Sequence, residues 1–191
     1  MALTLSQLQA IKADIAASAD MNTLPANSDG SFEIARLYNL ASTTDVWRTD
    51  APTKAIFDAI NWSAYTPTDV PSVGDTAAQA VLFTNRLLSI QTKQMNLQNM
   101  LIGRETIDAS KANIRAGLRD AVIALPSGAN GAAVSAGGAS GATVLTACVR
   151  KATRIEKLLA SAPVTTGTVS AGVMGFEGGI SISDIEAARA S

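Results

Sequence analysis

Aromatic side chains supply only 4% of this 191-residue chain, although apolar residues reach 47%. A core with so few rings must be filled by alanine, leucine and isoleucine, and such side chains favour helix packed on helix over a sheet sandwich. The length fits one domain with a sizeable core, burying roughly 70% of the surface its unfolded chain exposes. The expectation is an all-α fold: a helical bundle with long loops over residues 1–162, followed by an extended C-terminal arm over 163–191.

Apolar spacing places the helices. The first is expected from about Ser6 to Ser18, with Ser6 and Gln9 as a capping box and Leu5, Leu8, Ile11 and Ile15 as its stripe. A loop from Asp20 to Gly30 follows, rich in turn residues. A short helix capped at Asp29 or Ser31 then offers Phe32, Ile34, Leu37 and Tyr38 for burial. Thr43 to Arg48 reads as extended, and Asp50 with Pro52 opens another short helix carrying Ile56, Phe57 and Ile60. The longest helix is expected from Asp75, capped with Ser72, as far as Ile102, where Gly103 stops it. Another spans Ser110 to Leu125 and ends at Pro126. The stretch Pro126–Gly141 is a charge-free run of low complexity. Beyond it, Gly141 or Ala142 to Ala160 fits one further helix, with Val144, Leu145, Cys148, Val149, Ala152, Ile155 and Leu159 inward.

The last 29 residues differ from the rest. PVTTGTVSAGVMGFEGGISISDIEAARAS is almost uncharged and punctuated by glycine. Its apolar side chains, among them Val173, Phe176, Ile180, Ile182 and Ile185, exceed what a lone extended strip buries on its own. They therefore require a surface to lie on, and another protein is the expected surface. A second capping box, Ser183-Asp-Ile-Glu186, predicts a terminal helical turn or two ending near Arg189.

Several chemistries are disfavoured. The chain has no histidine, which removes Ser-His and Cys-His nucleophile pairs and the commonest metal ligand. Ser140 lacks the second glycine of a nucleophile elbow. Gly137, Gly138 and Gly141 lack the Lys-Ser or Lys-Thr of a phosphate loop. Neither an enzyme nor a cofactor is expected; a carboxylate-based site is the remaining catalytic option. The single cysteine, Cys148, excludes an intrachain disulfide and reads as a small core residue. No basic start followed by an apolar block opens the chain, and the longest uncharged stretch is too polar to span a bilayer, so neither a secretory leader nor a membrane partner is expected.

The net charge of −1 is unevenly spread. Residues 96–162 carry eight basic and four acidic side chains. In helical spacing Arg150, Arg154 and Lys157 share a face beside Lys151, and Arg115 and Arg119 share a face of the preceding helix. Such a stripe could meet a phosphate backbone, although an ordinary solvated face with local ion pairs is the stronger reading. Trp47 and Trp62 read as anchors of irregular segments rather than ligand-stacking platforms.

Three stretches, taken in order, resemble one family. They are Ile34-Ala-Arg-Leu-Tyr-Asn39 with Val46-Trp-Arg-Thr49; Asn113-Ile-Arg-Ala-Gly117; and Arg150-Lys-Ala-Thr-Arg-Ile-Glu-Lys-Leu-Leu159 leading to Gly175-Phe-Glu-Gly178 and Asp184-Ile-Glu-Ala-Ala-Arg189. The pattern resembles the head–tail connector (adaptor, or head-completion) proteins of tailed bacteriophages. That resemblance implies a helical, non-catalytic virion protein, made in the host cytoplasm and placed in the neck. It implies a ring of copies, often twelve, beneath the portal protein, extending the DNA channel and giving a platform to the next neck or tail protein. The C-terminal arm, with Val173, Phe176, Ile180, Ile182, Ile185 and Arg189, would dock on the portal or on a neighbouring subunit. Arg115, Arg119, Arg150, Lys151, Arg154 and Lys157 would face the passing DNA and touch it weakly. The competing readings are a tail terminator or stopper protein and a small helical nucleic-acid-binding regulator.

Overall fold

The computed structural model describes residues 3–66, 76–123, 125 and 141–191. Its described residues form two compact units that share the chain unequally. The first takes Met1–Trp47, Arg150–Val164 and Ala171–Ser191; the second takes Arg48–Val149 and Thr165–Ser170. The expected division after residue 162 is not where the chain separates, because the end of the chain belongs to the same unit as its beginning.

In the first unit, helix α1 (Leu5–Ala17) starts one residue earlier than expected, and its cap lies two residues earlier. Thr4 and Gln7 form the capping box: the Thr4 N–H donates to Gln7 Oε1 at 2.9 Å and the Gln7 N–H to Thr4 Oγ1 at 3.3 Å. This register seats Leu3 and Leu8 on the core, the two flanking positions of a hydrophobic staple, and leaves Leu5 exposed. Helix α2 (Ser28–Tyr38) is capped by Asn27, whose Oδ1 accepts the Gly30 N–H at 2.9 Å. It buries Ile34, Ala35 and Tyr38 and turns Phe32 outward.

The expectation of an all-α fold is overturned by short strands. Strand β1 (Ala41–Trp47) is where extended chain was expected, but its partner is not. In the second unit β2 (Ala51–Pro52) precedes helix α3 (Thr53–Asp58), and a 3₁₀ turn (Trp62–Tyr65) follows. Helix α4 (Ala77–Leu101) is the longest, as expected. Strand β3 (Thr106–Ile107) pairs antiparallel with β2, setting Ala51 against Ile107 and Pro52 against Thr106. Helix α5 (Ala112–Val122) packs on α4 and on α6 (Gly141–Thr146). Ile90, Leu97, Leu101, Leu118, Val122, Val144, Leu145 and Cys148 are buried in this unit. The expected Ser72–Asp75 cap and the run Pro126–Ser140 lie outside the described residues.

The long helix expected from Gly141 to Ala160 is three elements. After α6 the chain becomes strand β4 (Val149–Thr153), which pairs with β1, and then helix α7 (Arg154–Leu159). The periodicity of the apolar residues is compatible with one helix, but two polar contacts decide otherwise. Thr153 and Glu156 form a capping box that restarts the helix: the Glu156 N–H donates to Thr153 Oγ1 at 3.3 Å and the Thr153 N–H to Glu156 Oε2 at 2.9 Å. Arg150 then reaches forward from the strand and donates to both Glu156 carboxylate oxygens, each at 2.7 Å. An N-cap must be extended at Thr153, so Arg150 and Arg154 cannot share one helix. Strands β5 (Val164–Thr166) and β6 (Val169–Ala171) make a hairpin, and α8 (Ile182–Ala190) closes the first unit against α1 and α2.

Glu156 is 1% exposed. Burial pushes its carboxyl upward, but the Arg150 guanidinium and the Thr153 and Gly178 N–H groups outweigh this and hold it down, to about 2. A group held below its unfolded value of 4.5 stabilises the fold fully above that pH. Stability of the first unit is therefore expected to fall between pH 4.5 and about 2, and Glu156→Gln should flatten that fall in urea melts at a series of pH values. Glu156→Ala, which removes the nearest carboxylate from Arg150 and the reciprocal cap from Thr153, should cost about 3 kcal/mol at neutral pH.

Candidate interaction surfaces

The terminal segment is the first candidate. It is not a free arm: its apolar residues complete the core of the first unit. Phe176 (7% exposed), Ile180 (4%) and Ile185 (0%) pack with Ile11, Ile15, Met21, Ile34, Tyr38 and Ile155. The surface that these side chains required is the chain's own α1–α2 pair, more than a hundred residues away in sequence. Polar groups fix the path. Gln7 Nε2 donates to the Gly175 carbonyl at 3.0 Å, and the Gly178 N–H donates to Glu156 Oε1 at 3.1 Å. Asn39 pairs with Ile180 as a strand would, accepting its N–H at 2.9 Å and donating to its carbonyl at 3.0 Å.

The glycines of this segment serve close approach. A Cβ on Gly175 would stand 2.5 Å from the Leu159 carbonyl oxygen, and Gly178 has a φ of +104°, a conformation that other residues rarely adopt. The segment then enters α8 through Ser181, not through the expected Ser183. Ser181 Oγ accepts the Asp184 N–H at 3.3 Å, and Asp184 Oδ2 accepts the Ser181 N–H at 3.0 Å. Arg189 donates to the Pro25 carbonyl at 2.9 Å, Ser31 Oγ at 3.0 Å and the Leu24 carbonyl at 3.3 Å. Val173 and Ile182 remain half-buried.

The basic residues do not form one face either. Within the first unit, Arg150 is committed to Glu156 and lies 3.6 Å from Glu177. Lys151 meets Asp45 at 2.9 Å and the Thr43 carbonyl at 3.0 Å. Arg154 meets Asp20 at 2.6 Å and lies 5.8 Å over the Tyr38 ring. Its hydrogen bond to Asp20, with a second from Ser18, holds the Asp20 carboxyl well below the usual carboxylate range. Lys157 is exposed. Within the second unit, Arg115 is 4% exposed; its guanidinium donates to the Ala109 and Ser110 carbonyls at 2.8 and 2.6 Å and to Thr166 Oγ1 at 3.1 Å. Arg119 is half-buried beside Gly167 and Leu145. Most of these cations act as struts between segments distant in sequence.

Both tryptophans hold backbone in place, Trp47 from the end of strand β1 and Trp62 from the 3₁₀ turn. Trp47 is fully buried and donates from Nε1 to the Val164 carbonyl at 3.3 Å. Trp62 stacks on Phe57, ring centroids 5.7 Å apart, and donates to the Phe57 carbonyl at 3.2 Å. Cys148 is fully buried, and burial pushes its thiol up to about 11. Among the described residues no cluster of three candidate metal ligands occurs, and no helix is long and apolar enough to cross a membrane.

What the first unit does leave open is a groove between α2 and the start of α8, about 870 Å³ in volume. Ala35, Ile180 and Ile182 line it, and Phe32 and Leu40 stand at its edge, 57% and 48% exposed. Arg36, paired with Glu33 at 2.6 Å, and Glu186 give it a charged rim. Sequence periodicity assigned Phe32 to the core, so it did not mark this groove. The only available signal was that Phe32 and Ile34, two positions apart on one helix, cannot both face the same way.

Ile185→Ala should destabilise the first unit by about 2–5 kcal/mol in chemical denaturation, because it opens a cavity in a filled core. Ile182→Ala, at the groove, should cost about 1 kcal/mol or less in the same measurement. No family model, curated protein or solved structure matches the chain.

Proposed function

We propose that this protein is a virion structural component, a head–tail connector of a tailed bacteriophage that sits as a ring between the portal and the next neck or tail protein. The observation that carries this reading is the α2–α8 groove. In a chain with only eight aromatic residues, one of its four phenylalanines is held outward on a rigid helix beside Leu40, above an apolar floor. Exposed apolar side chains grouped over a concave surface with a charged rim fit a protein partner. The docking role expected of the terminal arm thus passes to the groove that the arm helps to build. The portal, or an adjoining copy in a ring of about twelve, is its proposed partner.

The placement of the basic residues supports a channel component over a duplex-binding regulator. Arg115, Arg150, Lys151 and Arg154 are engaged by oxygens of their own chain. Tight phosphate binding needs several cations free to replace counterions. A wall that lets DNA slide past is better served by cations already held by their own chain. No catalytic role belongs to this reading.

The test is electron microscopy of purified protein mixed with portal. A ring of added density coaxial with the portal is the expected result, and Phe32→Ser combined with Leu40→Ser should abolish it while leaving the circular dichroism melt unchanged. A protein that ignores portal yet binds duplex DNA tightly, with affinity falling steeply as salt rises, would overturn the proposal.

A further inference from the structure

Helices α2 and α8 run side by side in opposite directions. At one end Asn39, just past α2, bonds to Ile180, just before α8, at 2.9 and 3.0 Å. At the other, Arg189 in the last turn of α8 reaches Ser31 in the first turn of α2 at 3.0 Å. Helix α1 covers the buried side of this pair, where Ile11 and Ile15 pack with Ile34, Tyr38 and Ile185. The groove of about 870 Å³ opens on the exposed side. Past Ser28 and Glu186 it runs on into a polar hollow of about 410 Å³ beside Asn27, Ser31 and Arg189. Together they make a trench that follows α2 from Ser28 to Leu40, about 18 Å at the helical rise per residue.

The walls limit the shape of what fills this trench. On α2, Ser28, Phe32 and Arg36 recur every four residues, with Leu40 next; on α8, Ile182 and Glu186 keep the same spacing. Rows of side chains at that spacing interdigitate with the rows of another helix. An extended peptide is instead held by main-chain bonds to a sheet edge, and neither wall is a strand. About three turns of helix fill the length.

Charge limits the occupant further. Arg36 donates from Nε and Nη2 to Glu33 at 2.8 and 2.6 Å, and Arg189 is engaged by the Pro25, Ser31 and Leu24 oxygens. Glu186 is exposed where the apolar and polar parts of the trench meet, and among the described residues nothing pairs with it. A basic side chain arriving there gains a partner; an acidic one meets repulsion and only cations that are already engaged. This chain does not offer such a helix. Among its described helices only α4 exposes more than one large apolar side chain, and of the two cations in α4 Arg86 is buried and Lys93 donates to the Ile123 carbonyl at 2.8 Å.

We infer that the trench holds an amphipathic helix of a different protein, with apolar side chains one turn apart over Phe32, Leu40 and Ile182 and a Lys or Arg against Glu186. The inference rests on the groove being a docking site, as proposed above, and names the kind of segment that docks. A displayed library of random peptides of about 16 residues, long enough to span the trench as a helix, tests it with the intact chain as bait. The expected binders carry apolar residues at three- and four-residue spacing together with a Lys or Arg. In fluorescence anisotropy they should lose about tenfold in affinity for Phe32→Ser and for Glu186→Lys. Both side chains are exposed, so the circular dichroism melts of the two variants should match that of the unaltered protein. Selection against Glu186→Lys should replace the cation by Asp or Glu. Binders without helical spacing, the same cation selected by both baits, or a selection in which no binder depends on Phe32 and Glu186 would overturn the inference. A ring on portal that Phe32→Ser with Leu40→Ser abolishes, alongside binders of no helical spacing, removes this inference alone. Binders of the expected kind from a protein that ignores portal remove the connector reading alone.

Discussion

The carboxylate of Glu156 is the point on which the first unit turns. Four donors converge on it: two from Arg150 on β4, the Thr153 N–H at the head of α7 and the Gly178 N–H in the terminal segment. One buried charge thus ends a strand, starts a helix and pins a glycine-rich strip. Burying it unaccompanied would be costly, and the four contacts together offset that cost. The approach of Gly178 also determines where Phe176 and Ile180 fall, and hence whether the space above Ile11, Ile34 and Tyr38 is filled.

How far this was legible depends on the range of the interactions involved. Helices α1, α2, α4 and α5 follow from apolar periodicity, although Thr4 and Asn27 cap α1 and α2 in place of the expected residues. The competition between Thr4 and Ser6, or Ser181 and Ser183, for the cap is decided by which register places Leu3 and Leu8, or Ile185 and Ala188, on the core. Residues 141–160 misled because Val144, Leu145, Cys148, Ala152 and Ile155 fit a helical stripe, and they are indeed buried. Their burial is shared among two helices and a strand, however. The local sign of the break, Thr153 three residues before Glu156, was present in the sequence but is as short as a chance match.

The terminal segment illustrates a different limit. Its apolar content showed correctly that it needed a surface, but composition does not distinguish a surface in the same chain from one in another. Arg115 and Arg154 pose the same ambiguity: spacing along two presumed helices grouped them with neighbouring cations, whereas their acceptors Thr166 and Asp20 lie at separations that no local pattern reports. The groove edged by Phe32 and Leu40 exists only because α8 lies across α2, so no stretch of sequence encodes it alone.

The way the two units share the chain sets the order in which they can be completed during synthesis. Residues 48–149 form most of the second unit as one uninterrupted stretch, and they are synthesised before Ile155, Phe176 and Ile185. Helices α1 and α2 emerge ahead of that stretch, yet they must wait for Ile155, Phe176 and Ile185 to cover Ile11, Ile15 and Ile34. At a translation rate of about 5–20 residues per second, that interval is on the order of ten seconds. Throughout it the nascent chain displays an unfinished apolar cradle, and residues made before the second unit reach their native packing only after that unit has been made.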